Sequence, residues 1–224
     1  MAESVEHFSV EDYKNLIKFY FDIKELITAA EREDGEQRLS ISAITEVRSA
    51  FDHIMRAHNV EYQLISEEEI KETTGLNSGD YCRKNYEKAY AHLYRAGYDA
   101  YDCIAISMID RINYLLKTVS RQALHAVIPN VTSSIIKPYK EAKDLFTKAK
   151  VQKDVESHDQ EKKQFEEYEQ ANKQLFDIKS ILEDHETQLI DYDKELNQKT
   201  WLQRLFVVAV AIVAFILGHF IIKK

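Results

Sequence analysis

Apolar residues recur at helical steps through most of this chain. Tyr13, Leu16, Ile17, Tyr20, Ile23, Ile27 and Ala30 lie three or four apart and predict an amphipathic helix. Ser9 and Asp12 supply the start signal of a capping box, and Glu33-Asp34-Gly35 supplies the stop. A second helix is predicted from about Ser42 to His58, with Ile44, Val47, Phe51, Ile54, Met55 and His58 on its apolar face. Gly75, Asn77, Ser78 and Gly79 mark Ser66 to Asp80 as a loop with one helical turn near Glu68. A long helical pattern then runs from about Tyr81 to Val127, and Pro129 and Pro138 punctuate the next segment of the chain.

From Phe165 the pattern becomes heptad-like: Tyr168, Asn172, Leu175, Ile178, Leu182, His185, Leu189, Tyr192 and Leu196 come next, with one doubled three-residue step. This predicts a helical stalk, either self-associating or folded back on the preceding bundle. The run from Leu205 to Ile222 carries no charge and would be roughly 27 Å long as a helix. Trp201, Arg204, Lys223 and Lys224 flank it as interfacial anchors would, and Ala214 and Gly218 form a small-residue pair suited to helix contact. The expected fold is therefore all-α: a cytosolic helical bundle over 8–128, a coiled-coil-like stalk over 129–200, and one C-terminal transmembrane helix within 201–224. The first dozen residues lack the apolar core of a signal peptide, so the bulk is expected to be cytoplasmic and the protein tail-anchored.

Composition agrees with a helical chain, since only five Gly and two Pro occur in 224 residues. A net charge of −8 argues against a dedicated nucleic-acid binder, leaving room for a local basic patch, and no DNA partner is expected. Two cysteines without clustered histidines build no zinc site, so neither metal nor cofactor is expected. P-loop, dinucleotide-binding, nucleophile-elbow and His-Glu-x-x-His patterns are all missing.

Two helices share a motif: Arg48-Ser-Ala-Phe-Asp52 and Arg95-Ala-Gly-Tyr-Asp99. Arg and Asp four apart share a helix face. Antiparallel packing of the two helices would allow Arg48 to pair with Asp99 and Arg95 with Asp52. His53 and His92 lie beside these residues, so a polar cluster of Arg48, Asp52, His53, His92, Arg95 and Asp99 is expected. It would serve as a ligand pocket, an active site or a buried structural network, and structural ion pairs are the commonest of the three. Tyr86, Tyr90, Tyr94 and Tyr98 form a stripe that suits a core or an oligomer interface; beside the arginines it would also suit an anionic nucleotide.

Arg48 and His53 form an Arg-x4-His spacing that resembles the signature of HEPN domains, small helical modules found in bacterial conflict and antiviral systems. The stretch Tyr86, Ala89, His92, Leu93, Arg95, Ala96, Tyr98 and Asp99 looks like helical modules of the same systems. The HEPN resemblance implies a metal-independent endoribonuclease, in which His53 exchanges a proton and Arg48 stabilises the phosphorane.

The layout leads to a first expectation of a non-enzymatic effector of antiviral or toxin type. Its bundle would sense an anionic nucleotide or a protein activator and control homo-oligomerisation of the membrane-spanning helix, which would disrupt the lipid bilayer. A membrane-tethered HEPN-type ribonuclease and a plain membrane tether or scaffold are the alternatives.

Overall fold

The computed structural model describes residues 9–33, 41–151 and 158–222, of which the side chains of 158–161 and 214–222 fall outside the description. Among the described residues all regular structure is helical: α1 (Val10–Glu33), α2 (Ile41–Glu61), α3 (Glu67–Thr74), α4 (Ser78–Thr118), α5 (Arg121–Val127), α6 (Lys137–Val151), α7 (His158–Asp184) and α8 (Glu186–Ile222). The all-α expectation agrees with this. The helices divide into two compact units, each built from two separate stretches of chain. One comprises Met1–Asp110 with Lys140–Phe176, the other Arg111–Tyr139 with Asp177–Lys224.

Local signals set most helix ends. At the start of α1 the Ser9 backbone N–H donates to Asp12 Oδ2 (3.0 Å) while the Asp12 N–H donates to Ser9 Oγ (3.1 Å), a reciprocal box. Ser66 caps α3 and Gly75, at φ +74°, closes it in the left-handed conformation that lacks a steric cost only for glycine. The pattern expected to run unbroken to Val127 is divided at Ser120, whose side chain accepts from the Ala123 N–H and starts α5. Pro138 has no N–H to return to the preceding turn, and Thr132–Ile136 widens into a π-helix before α6.

In the first unit, α2 packs against α4 through small residues. Ala43, Ala50 and Ala57 are buried on α2, and Ala89, Leu93 and Ala96 on α4. The expected apolar face of α2 is thus rotated in part: Val47 and Ile54 pack against the core, whereas Ile44, Phe51 and Met55 are exposed, and Ile41 beside them is 83 % exposed. Alanines at seven-residue spacing let two backbones approach closely, a gain that outweighs burying larger side chains against a more distant helix. The heptad seam of α7 begins within this unit, where Tyr168, Ala171 and Leu175 are buried. Phe165 packs edge-on to Tyr94 at 5.6 Å and at the same distance from Tyr98. Gly97 makes room for it, because a Cβ there would come within 2.5 Å of the Phe165 ring.

In the second unit Leu182 and Leu189 continue the seam and are buried with Leu124, Ile128 and Ile135. Arg111 bridges Glu183 (2.9 Å) and Glu186 (2.7 Å), and Asp193 accepts from the Ser120 N–H (3.0 Å).

The expected transmembrane anchor is corrected. Among the described residues no helix is long and apolar enough to cross a membrane. In α8 the described side chains from Leu205 to Val213 are apolar and all exposed. The turns before them carry Asp191, Asp193, Lys194, Glu195, Lys199 and Arg204. The contact pair Ala214 and Gly218, and Ile222 with them, have side chains outside the described set. The tail-anchored topology and the single-pass membrane localisation lose their support with the span.

Candidate functional site

The chemistry-bearing side chains of the first unit meet where α2 crosses α4 antiparallel. His92 Nδ1 lies 2.7 Å from Glu46 Oε2, and His53 Nδ1 lies 2.8 Å from Asn85 Oδ1. Glu46 and His53 are seven apart on α2, as are Asn85 and His92 on α4, so each pair repeats on one face beside the packed alanines. The two imidazoles stack at 5.2 Å with planes 21° apart. Arg95 closes the cluster, with Nε donating to Glu46 Oε2 at 2.8 Å.

Hydrogen bonding assigns the proton on His53. Asn85 Nδ2 donates to the Tyr81 carbonyl at 2.9 Å, so the amide oxygen faces His53 and only an Nδ1–H can meet it. Neutral His53 therefore carries its proton on Nδ1 and leaves Nε2 bare. Burial holds the pKa of His53 below the ordinary imidazole value, with the Asn85 bond opposing and the charges of His92, Lys88 and Arg56 assisting. Burial pushes Glu46 up, yet hydrogen bonds from His92 and Arg95 outweigh it and hold the carboxyl below its usual range. His92 Nδ1 also lies 2.7 Å from Arg95 Nη2. One nitrogen cannot donate to Glu46 and accept from Arg95 together, so the ring's tautomer decides which bond it makes.

The residues picked out by the shared Arg/Asp motif part company. Arg95 takes Glu46, Asp52 takes Arg56 of its own helix at 2.8 Å, and Asp99 accepts from Ser42 Oγ at 2.6 Å. Arg48 is exposed. Five residues along a helix turn it about 140° away from His53, onto the stripe of Ile44 and Phe51. Glu46, Asn85 and Ser42 complete the observed contacts and escaped sequence reading. Their signal was the seven-residue spacing of polar groups within alanine-rich faces, which a search for charged motifs passes over.

A second network lies one turn further along. Tyr13 Oη and His58 Nε2 are 3.0 Å apart, His58 Nδ1 reaches Glu61 (2.8 Å), and Tyr86 Oη donates to the same carboxylate (2.7 Å). Burial pushes the Tyr86 hydroxyl well above its usual range, so it acts as a donor and not as a base. Burial and Glu61 push the Cys82 thiol up to about 11, which leaves it unreactive. Of the tyrosine stripe, Tyr86, Tyr94 and Tyr98 are buried, and their faces serve the core.

Two adjoining grooves of about 870 and 510 Å³ lie between α1, α4 and α7, sharing Arg32, Tyr101 and Glu169. Their opposite charges select no anion. Among the described residues no group of His, Cys, Asp and Glu is arranged to hold a metal ion. Comparison of the chain with protein-family models, curated proteins and solved structures returns no match.

Proposed function

We propose that this protein is a non-enzymatic, self-associating helical scaffold whose output is its assembly state. One observation carries the reading. Trp201, Leu202 and every residue from Leu205 to Val213 are exposed on α8, with Phe206 at 70 %. A helix apolar on all sides has to be buried on all sides, and a single neighbouring helix covers only one stripe. Three or more copies bundled through this part of α8 satisfy it. In the antiviral or toxin-type setting implied by the sequence resemblance, assembly would then replace bond chemistry as the effect. The polar cluster of α2 and α4 fits this reading, since its charges are consumed in mutual bonds that fix helix register.

Sedimentation equilibrium of the full chain tests the proposal. The expected result is an oligomer of at least three chains that the double substitution Phe206→Asp, Val210→Asp reduces in order. A chain that stays monomeric at tens of micromolar, or one that floats with lipid vesicles without forming oligomers, overturns it.

A second reading, metal-independent RNA cleavage, is favoured by the bare Nε2 of His53 stacked beside His92. His53 would take the proton of a ribose 2′-OH as that oxygen attacks phosphorus. His92 would protonate the departing 5′-oxygen, leaving a 2′,3′-cyclic phosphate. Cleavage of an RNA oligonucleotide by the full chain, lost in both His53→Ala and His92→Ala, would establish it; cleavage unchanged in either variant removes it.

A further inference from the structure

The apolar stripe on the outer face of α2 sits in the first unit and has no role in the α8 assembly. Ile41, Ile44, Phe51 and Met55 are all exposed, as is Arg48 between them. Positions 41, 44, 48, 51 and 55 follow the alternating three- and four-residue steps of a coiled-coil seam. Seams of this kind bury their apolar residues against another helix.

We infer that this stripe pairs with the α2 stripe of a second copy, antiparallel, about a two-fold axis midway between Arg48 and Phe51. The stripe is self-complementary in that register. Arg48 of one copy then meets Phe51 of the other, and Ile44 meets Met55. Each cation lies over an aromatic face. The charges agree as well, because Asp52 borders Phe51 and comes beside the opposite Arg48. Among the described residues Asp52 of one copy makes an exposed ion pair with Arg56, at side-chain exposures of 57 % and 54 %, which is readily exchanged. A parallel pairing would instead set Arg48 against Arg48. The stripe is about 21 Å long, too small for a standard stable interface, so this contact joins chains weakly and adds to a stronger association elsewhere.

Disulfide trapping in the full chain tests the register. Ile44→Cys and Met55→Cys are made in separately tagged chains and oxidised mildly, together and apart, with the unsubstituted chain as the baseline for Cys82 and Cys103. The mixture is expected to give a cross-linked pair of unlike chains at least tenfold above either variant alone. In the register proposed, two copies of position 44, or two of position 55, lie roughly 16 Å apart along the helix. Arg48→Asp should reduce the product, and adding Asp52→Arg to every chain that carries it should restore it. All these positions are exposed, and circular dichroism of each variant serves to check that it keeps its helices.

Cross-linking of Ile44→Cys chains to each other overturns the antiparallel register. No product in any mixture overturns the contact and leaves the stripe to another occupant. The result stands apart from the α8 assembly: trapping that persists in the Phe206→Asp, Val210→Asp chain supports this contact even where the higher oligomer is lost.

Discussion

Asn85 sets the tautomer of His53. Its amide is oriented by the Tyr81 carbonyl at 2.9 Å, and its oxygen accepts the His53 Nδ1–H at 2.8 Å, so a structural hydrogen bond on one helix decides which nitrogen of a histidine on another is basic.

That bond belongs to the neutral imidazole as well as to the cation, and burial favours the neutral form, so the folded pKa of His53 lies below its unfolded value. The unfolded chain then binds more protons, and stability rises with pH across the interval between the two values. The stabilisation is complete above about pH 6.5 and is lost as pH falls from there through the folded value. Replacing His53 by Gln should flatten urea midpoints measured between about pH 8 and pH 5.

Glu46 responds in a lower window. Its folded pKa is depressed, so the stabilisation from its bonds to His92 and Arg95 is present above the ordinary carboxylate value and lost as pH falls through the folded one. Glu46→Gln should remove this acid-side slope and leave that of His53 in place, as read from the same midpoints at lower pH.

Gly97→Ala should destabilise the fold although alanine favours helix. The added carbon would meet Phe165 at 2.5 Å and Ile23 at 2.7 Å, both packed side chains. Overpacking of this kind costs about 1–3 kcal/mol and exceeds the gain of about 1 kcal/mol in propensity. Chemical denaturation of the variant checks the sign.

Leu93→Ala should cost about 2–5 kcal/mol, because Leu93 is fully buried between the alanine faces of α2 and α4 and its loss leaves a cavity. Arg111→Ala should cost only about 1 kcal/mol despite two short ion pairs, since the arginine is 35 % exposed, and the loss should shrink in high salt.

Helix content, the capping box at Ser9 and Asp12, the turn at Gly75 and the buried tyrosines were legible along the chain, because each depends on neighbours within a turn or two. The face of α2 was not. Its periodicity is equally consistent with Ile44, Phe51 and Met55 inward or with Ala43, Ala50 and Ala57 inward, and only the close approach of α4 selects the alanines. The same rotation leaves Arg48 outside the α4 contact and brings in Glu46 and Asn85, since a polar partner is defined by a contact 32 or 46 residues away. Hydropathy identified the apolar end of α8 and assigned it to a bilayer; among the described residues no helix is long and apolar enough for that. One-dimensional pattern therefore determined that the chain is helical and where most helices start and stop, because those are local hydrogen-bond and capping decisions. Which face each helix buries, and which charges meet, were decided by packing in three dimensions, where small residues set how closely two backbones can lie.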